Sequence, residues 1–283
     1  KLSFCIENSL GKMTLRYGKD SSKKHIKILE LMNYMNSDTL NKLRNASVHK
    51  EPFTHFVIDD FLDSEVVDKL ESEFPDFHNP MWYSYNNQIE VKKAMSCWDR
   101  FPATTYKTFW DLCSKETCDV LSEVMGTTLL ADIGLNGGGW HLHGTGGALN
   151  VHQDYSLHPK IPFERKLNLI VHLSRNWDPA WGGGLELWSN DSERNKPKEL
   201  IKTIDIKFNR AVIFDTTQNS WHGFSRPMTQ PEGIYRRSIA VYYVQKPDKN
   251  TAKERYKALY TPRKEQENDP EVLELIKRRA NLI

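Results

Sequence analysis

The alternation of apolar and polar residues divides the chain into three parts. Residues 1–50 are polar and rich in Lys, Asn and Ser, which is typical of an extension or linker. Residues 51–250 carry regular patterns and predict one domain, with helical support over 51–128 and a β-rich core over 129–250. Residues 251–283 predict a C-terminal helical segment.

A short strand is predicted at residues 56–58. Helical periodicity is clearest in three later stretches. They are residues 63–74, 104–125 and 269–281. Asp63 and Asp269 are predicted N-caps, and Gly126 ends the second helix. Residues 81–102 mix aromatic rings with amides and show no clean period, so they predict a loop or irregular hairpin over a pocket, or a purely structural connection.

Between residues 129 and 245 the pattern changes to short strands separated by Gly-, Asn-, Asp- and Pro-rich turns. The predicted strands are 129–135, 147–152, 166–173, 184–188, 201–206, 211–215 and 236–244. Many short strands at this spacing are typical of a sandwich, a jelly roll or a barrel. We therefore expect a mainly β protein with flanking helices.

Two of these strands have faces of different character. In "KLNLIVHLS", Leu167, Leu169, Val171 and Leu173 form an apolar face, and the other face carries Asn168, Ile170 and His172. In "YRRSIAVYYV", Arg236, Ser238, Ala240 and Tyr242 share one face, opposite Arg237, Ile239, Val241 and Tyr243. The mixed faces are suited to line a pocket, with an arginine at one end.

Charge and composition exclude several classes of protein. A net charge of +2 is too balanced to indicate a nucleic-acid partner. The chain has no apolar run long enough to span a membrane, so no membrane association is expected. Its four cysteines form no CxxC pair, and a chain of 283 residues does not need disulfides, so we expect a reducing, cytoplasmic location.

The stretch "LNVHQDY" carries the strongest chemical signal. His152 and Asp154 lie two residues apart, so in a strand they project from the same face and can bind one ion. Either His172 or His222 could supply a third ligand from a distant strand. Two histidines and one carboxylate are the ligand set of non-haem Fe(II) oxygenases.

Five segments then follow in the order of a known family. They are "GGALNVHQDY", "RKLNLIVHLSRNW", "GGGLELW", "IDIKFNRAVIFDTTQNSWHGF" and "RRSIAVYY". Over roughly residues 50–250, and most strongly over 140–245, the sequence resembles the prolyl 4-hydroxylase-like family of 2-oxoglutarate/Fe(II) oxygenases. The resemblance implies a double-stranded β-helix core, a variant of the jelly roll.

The resemblance also implies site residues. His152, Asp154 and His222 would bind iron, and Arg236, rather than Arg237, would hold the distal carboxylate of 2-oxoglutarate. The rest of the cosubstrate pocket would comprise Asn168, Ile170, His172, Leu185 and Ser238.

Two features depart from the family pattern. Many prolyl hydroxylases have a tyrosine where His172 stands. Fourteen positions separate His222 from Arg236, which requires "RPMTQPEGIY" to loop out.

The implied activity is a dioxygenase that hydroxylates an unactivated C–H bond and releases succinate and CO2. Its implied cofactors are Fe(II), 2-oxoglutarate and O2, with ascorbate as a candidate addition. The default substrate is a prolyl residue of a peptide or protein, and the alternative is a free amino acid, a sugar or a natural product. Candidate substrate contacts are Tyr83, Tyr85, Asn86, Trp140 and Tyr155. The sequence leaves the oligomeric state open.

Two interpretations from other classes stay open at this point. His141 and His143 form a second pair two residues apart, so a cupin-like protein binding Zn, Mn or Ni through these histidines is conceivable. The aromatic content also permits a β-sandwich that binds carbohydrate without oxygenase activity. Its platform would use Trp140, Trp177, Trp181 and Trp188.

Overall fold

Two antiparallel β-sheets form the centre of the molecule. The computed structural model describes residues 34–217, 219–247 and 258–281, and within them fourteen strands are divided between a nine-stranded and a five-stranded sheet. The order along the large sheet is β1-β11-β8-β13-β5-β3-β2, with β4 paired to β13 and β6 paired to β3. The order in the small sheet is β10-β9-β12-β7-β14.

The large sheet contains β1 (His55–Ile58), β2 (Tyr83–Asn87), β3 (Glu90–Met95), β4 (Leu130–Ala131), β5 (Gly139–His143), β6 (Ala148–Leu149), β8 (Glu164–His172), β11 (Ala211–Asp215) and β13 (Arg236–Gln245). The small sheet contains β7 (His152–Gln153), β9 (Leu185–Asp191), β10 (Lys196–Ile204), β12 (Trp221–Gly223) and β14 (Leu259–Tyr260). The helices are α1 (Ser37–Arg44), α2 (Ser64–Ser72), α3 (Ala103–Leu112), α4 (Lys115–Met125) and α5 (Pro270–Asn281).

Each face of the large sheet has its own partner. The apolar face of β8, with Leu167, Leu169 and Val171, packs in the main hydrophobic core together with the apolar face of β13 and residues of the helices. On the opposite face, Val212 and Phe214 pack against Leu185, Leu187 and Ile204 of the small sheet. The alternation predicted for both strands is therefore confirmed, and the mainly β fold with flanking helices is that of a double-stranded β-helix.

Several predicted elements differ from the observed ones. The helix predicted over 104–125 is two helices, because Ser114 caps α4 by accepting a hydrogen bond from the Thr117 backbone N–H. The strand predicted over 129–135 is reduced to β4. Strand β5 was not predicted, because the glycines at its start obscure the alternation of Trp140 and Leu142 with two histidines.

Other local predictions are confirmed. Gly126 ends α4 in the left-handed conformation at φ 66°, and the Asp269 side chain accepts from the backbone N–H groups that open α5. Residues 81–102 contain the β2–β3 hairpin. No helix among the described residues is long and apolar enough to cross a membrane.

The N-terminal boundary of the domain stays a prediction. Residues 1–33 of the predicted extension lie outside the described residues, as do 251–257 of the C-terminal segment. Within the described part, Met35 and Leu43 are fully buried in the main core. Residues 34–45 are therefore packed against the core.

Leu169→Ala tests the core position of β8. Leu169 is inaccessible to solvent in the middle of the main core. Its truncation should lower the free energy of unfolding by about 2–5 kcal/mol, because a cavity is left among atoms that relax only partly. Leu200→Ala is the matched control, since Leu200 is 45% exposed on β10 and should change the free energy by less than about 0.5 kcal/mol. Chemical denaturation measures both, and equal losses would contradict the predicted packing.

Candidate metal centre and its cavity

A cavity of about 400 Å³ lies between the two sheets. The large sheet contributes the mixed faces of β8 and β13 together with β5, and the small sheet contributes β7, β9 and β12. The lining residues are Tyr85, Glu90, Lys92, Gly137, His141, His143, Leu149, His152, Asp154, Tyr155, Arg165, Asn168, Ile170, Leu185, His222, Phe224, Arg236, Ser238, Tyr242, Ala258, Tyr260 and Arg279.

Three buried side chains converge on one point of this cavity. His152 on β7 and His222 on β12 are register partners, and their ring centroids are 4.4 Å apart. Asp154, just beyond the end of β7, places Oδ1 3.6 Å from His152 Nε2 and Oδ2 3.9 Å from His222 Nε2. Ligand atoms of the three residues all lie within 4.8 Å of one another. Strand pairing therefore joins side chains that are 70 positions apart in the chain.

Both imidazoles are held in the same way. His152 Nδ1–H donates to the Asn150 carbonyl at 2.9 Å, and His222 Nδ1–H donates to the Ser220 carbonyl at 2.8 Å. In each case the acceptor lies two residues earlier in the chain. A hydrogen bond at Nδ1 fixes the tautomer in which Nε2 carries a free lone pair, the form that binds a metal.

The protonation states of these side chains also favour the binding of a cation. Burial alone would raise the pKa of Asp154, but the neighbouring side chains of His152, His222 and Arg165 hold that pKa well below its usual range. Burial and the neighbouring His152 lower the pKa of His222 to about 4. Tyr242 Oη–H donates to Asp154 Oδ2 at 3.0 Å and orients the carboxylate. Near neutral pH, Asp154 is therefore anionic and His222 neutral.

These three residues fit a divalent transition metal. Two imidazole nitrogens and one carboxylate oxygen form a mixed donor set typical of Fe(II). Among the described residues, no other group of three or more His, Cys, Asp or Glu side chains converges in this way.

Arg236 is the second charged feature of the cavity. It is 3% exposed, its Nε–H donates to the Gly183 carbonyl at 3.0 Å, and its guanidinium lies over the Phe224 ring. Burial lowers its pKa to about 10, so it remains a cation at neutral pH. No carboxylate among the described residues forms an ion pair with it. A buried guanidinium without an ion-pair partner favours the binding of an anionic ligand, because desolvation of an unpaired cation is costly.

Arg237 lies on the other face of β13. Its guanidinium is 3.7 Å from Glu71 and close to the Tyr235 ring, outside the cavity. Of the two adjacent arginines, only Arg236 lines the cavity.

Most of the residues predicted for the cosubstrate pocket line the same cavity as Arg236. Asn168, Ile170, Leu185 and Ser238 line the cavity. His172 does not line it, but is fully buried beside Ser238 as its register partner. The Ser238 hydroxyl, the side-chain oxygen Oδ1 of Asn168 and both His172 ring nitrogens have no hydrogen-bond partner among the described residues. Unpartnered buried polar atoms next to an unpaired cation fit a polar, anionic ligand.

Only some of the predicted substrate contacts line the cavity. Tyr85 and Tyr155 line the cavity, whereas Tyr83 and Asn86 are exposed on the β2–β3 hairpin and do not. The expectation for Trp140 is corrected: this ring is fully buried in the main core, on the face of β5 that points away from the cavity.

The sequence did not predict that β5 forms part of the cavity wall. His141 and His143 lie on its cavity face, in register with Ser238 and Arg236 of β13. Burial, with Lys92 and Arg236 nearby, lowers the pKa of His141 to about 3 and that of His143 well below its usual value. The histidine pair at a spacing of two was the signal available, and it indicates a strand face more directly than a metal site.

Arg165, Glu90, Lys92 and Arg279 are among the cavity residues that were not predicted as site residues. Arg165 lies between the rings of Tyr155 and Tyr242, with 3.7 Å from the guanidinium carbon to each centroid. Glu90 forms ion pairs with Lys92 at 3.0 Å and with Arg279 at 3.2 Å. Arg279 belongs to α5, so its partner on β3 could not be read from a pattern along the chain.

The two rival interpretations find little support in this arrangement. His141 and His143 gain no third ligand among the described residues, and the cations near them disfavour a bound metal ion. None of the four tryptophans proposed for carbohydrate binding is exposed.

Comparison with known proteins finds similarity to 2OG-Fe(II) oxygenases and to a prolyl hydroxylase. Residues 138–244 match the family model of the 2OG-Fe(II) oxygenase superfamily. Prolyl 3-hydroxylase OGFOD1 of Mus musculus is 26% identical over 183 residues, which are 64% of this chain. The match covers 31% of that protein, so the chain spans about a third of the length of this relative.

Among solved structures, a prolyl-4-hydroxylase of Pseudomonas putida aligns with a TM-score of 0.50 and 11% identity. The alignment covers 74% of this chain and 98% of that one. At this identity the likeness concerns the fold, and it agrees with the double-stranded β-helix described above.

Acidification should destabilise the metal-free protein. The pKa values of His141 and His222 are lowered from 6.5 in the folded state, so below pH 6.5 the unfolded chain binds more protons and stability falls as the pH falls towards 4. Each histidine should contribute a slope of about 1.4 kcal/mol per pH unit. Urea denaturation from pH 7 to pH 4.5 measures this slope. It should be shallower in His141→Gln, and an unchanged slope would contradict the burial of a neutral imidazole there.

Proposed function

Since residues 138–244 match the family model of the 2OG-Fe(II) oxygenase superfamily, we propose that this chain is a 2-oxoglutarate- and Fe(II)-dependent dioxygenase that hydroxylates an unactivated C–H bond. The co-products are succinate and CO2, and the default substrate is a prolyl residue of a peptide or protein. The observation that carries the proposal is one cavity with a buried His-Asp-His group at one point and a buried, unpaired arginine at another.

In this proposal His152, Asp154 and His222 hold Fe(II) through two Nε2 atoms and one carboxylate. The Nδ1 hydrogen bonds and the Tyr242 hydroxyl orient these ligands in advance. Bound Fe(II) and 2-oxoglutarate would supply the means of activating O2, the oxidant, for attack on a C–H bond, which no protein side chain can do. One oxygen atom would enter the C–H bond and the other would enter succinate as 2-oxoglutarate loses CO2. The protein contributes a fixed ligand geometry and a site largely closed to water.

Arg236 holds the distal carboxylate of 2-oxoglutarate in this arrangement. A guanidinium can offer two parallel N–H donors to a carboxylate, and the Ser238 hydroxyl lies next to it with no other partner. Asn168, Ile170 and Leu185 line the same cavity, and His172 is buried beside Ser238. The carboxylate thereby neutralises the buried cation, and cosubstrate binding removes the cost of leaving it unpaired.

Two observations support a prolyl residue as the default substrate. The relatives are by name a prolyl 3-hydroxylase and a prolyl-4-hydroxylase. The cavity also retains aromatic walls on its outer side, at Tyr85, Tyr155 and Tyr260, which suit the apolar face of a pyrrolidine ring.

We also propose a reducing cellular compartment and a reductant for the iron. The three cysteines of the described residues, Cys97, Cys113 and Cys118, are unpaired, which supports a reducing compartment such as the cytoplasm. Ascorbate is proposed as a reductant that keeps the iron in the ferrous state.

Arg236→Ala should raise the KM for 2-oxoglutarate by about 10- to 100-fold, because one charge-assisted pair of hydrogen bonds is lost. Arg237→Ala is the matched control, since this neighbouring arginine pairs with Glu71 outside the cavity. Succinate release over a range of 2-oxoglutarate concentrations measures both variants. If Arg237→Ala weakened cosubstrate use as strongly as Arg236→Ala, the assignment of the carboxylate site would be wrong.

Substrate class is tested by incubating the protein with Fe(II), 2-oxoglutarate and a library of proline-containing peptides. Mass spectrometry should detect the gain of one oxygen atom on a prolyl residue, together with succinate. Asp154→Ala should abolish both signals, because the only carboxylate of the metal site is removed. Succinate formation without peptide oxidation, but stimulated by a free amino acid, sugar or natural product, would reject the prolyl assignment and retain the oxygenase.

A further inference from the structure

The C-terminal segment Leu259–Gln266, called here the C-terminal brace, lies against the strand that carries His152. Its strand β14 pairs with β7, with Tyr260 opposite His152 and Leu259 opposite Gln153. β7 has only two residues, and in the absence of β14 it would be an edge strand held by a single neighbour. Such a short edge strand has little intrinsic order, so its conformation depends on what covers it.

Tyr260 contacts the candidate ligand itself. The tyrosine and His152 rings are stacked, with centroids 5.0 Å apart and an interplanar angle of 17°. His222 contacts His152 from a different direction, with centroids 4.4 Å apart and an angle of 50°. The imidazole of His152 is thus confined by aromatic contacts as well as by its Nδ1 hydrogen bond.

Asn150 connects the brace to that hydrogen bond. Its side chain is fully buried, and Nδ2 donates to the Thr261 carbonyl at 2.9 Å and to Gln266 Oε1 at 2.8 Å. Arg263 donates from its guanidinium to Asn150 Oδ1. The Asn150 carbonyl is the acceptor for His152 Nδ1–H. The described partners of this side chain all come from the brace, while its backbone fixes His152.

Four further hydrogen bonds hold the same stretch of chain. The backbone N–H and the hydroxyl of Thr261 both donate to the Val151 carbonyl, at 2.9 and 3.0 Å. Gln266 Nε2 donates to the Gln88 carbonyl at 2.7 Å, and Asn150 N–H donates to the Ile89 carbonyl at 2.9 Å. The brace therefore fastens residues 150–152 to the β2–β3 hairpin. If it were undocked, the buried polar groups of Asn150 would lose their partners, which is costly.

We propose that the C-terminal brace positions His152, and that Tyr260 and Gln266 set the affinity of the iron site without touching the metal. The inference rests on the proposed function only in taking His152 as an iron ligand. Groups that orient a ligand from outside the coordination sphere commonly alter metal affinity by about 10- to 100-fold. By linkage, a metal that binds more tightly when the brace is docked must also stabilise the docked brace.

Co(II) titration tests the proposal directly, because its visible absorption reports both occupancy and ligand geometry. Tyr260→Leu removes the stacked ring, and Gln266→Met removes the amide that holds Asn150. Each should weaken Co(II) binding by about 10- to 100-fold and change the absorption spectrum of the saturated protein. Tyr260→Phe keeps the ring and should restore the native affinity and spectrum. Lys264→Ala, an exposed position of the same segment, should match the unmodified protein.

The His152→Ala variant distinguishes a failure of the proposed function from a failure of the brace proposal. If the unmodified protein binds Co(II) no better than His152→Ala, the proposed function fails. If only His152→Ala loses binding, while Tyr260→Leu and Gln266→Met bind as tightly as the unmodified protein and with its spectrum, the function stands and the brace proposal is overturned. Thermal unfolding of each metal-free variant identifies any that does not fold.

A measurement on the unmodified chain is independent of how the variants fold. The Thr261 amide, bonded to the Val151 carbonyl, should exchange its hydrogen more slowly when Co(II) is bound, since the metal stabilises the docked brace. The expected slowing is about 10- to 100-fold, the same factor as the change in affinity. Exchange at Thr261 that is identical with and without Co(II), at concentrations that saturate the site, would overturn the proposal.

Discussion

The pairing of β7 with β12 is the contact on which the rest of the site depends. It places His222 opposite His152, brings two imidazoles within 4.4 Å, and lets Asp154 reach both Nε2 atoms from just beyond the strand end. Backbone carbonyls two residues before each histidine accept from Nδ1–H and leave both Nε2 atoms free to bind a metal. A shift of this register by one residue would turn one imidazole out of the cavity, because side chains alternate between the faces of a strand.

The cavity concentrates charge that the protein itself leaves incompletely balanced. Asp154 is kept anionic at one point, Arg236 remains cationic at another, and the unpartnered hydroxyl of Ser238 lies beside the arginine. A metal cation and a dicarboxylate would neutralise both points. The pKa values of His141, His143 and His222 are lowered, so these three rings do not compete as charges near neutral pH. Because Asp154 and Arg236 are shielded from water, their electrostatic attraction to both ligands would be stronger than in solvent.

The outer wall of the cavity comes from elements outside the paired central strands of the β-helix. The β2–β3 hairpin supplies Tyr85, Glu90 and Lys92, and the C-terminal part of the chain supplies Tyr260 and Arg279. Glu90 joins the two through ion pairs to Lys92 and Arg279. The proposed substrate side of the cavity and the proposed support of His152 are thus built partly from the same C-terminal residues, so a change in one is expected to affect the other.

The sequence by itself determined the faces of the strands and the types of residue on them. Alternation was enough to assign Leu169 to an apolar face and to put Arg236 and Arg237 on opposite faces of one strand, because the period of a strand is local. The choice of Arg236 as the pocket residue came from the family resemblance. Alternation could not decide that Trp140 points into the core, since β5 begins in glycines that hide its period. It also gave no sign that Tyr260, Gln266 and Arg279 meet residues 88–152, more than a hundred positions earlier. Such contacts depend on how distant segments pack, and only the tertiary structure decides that.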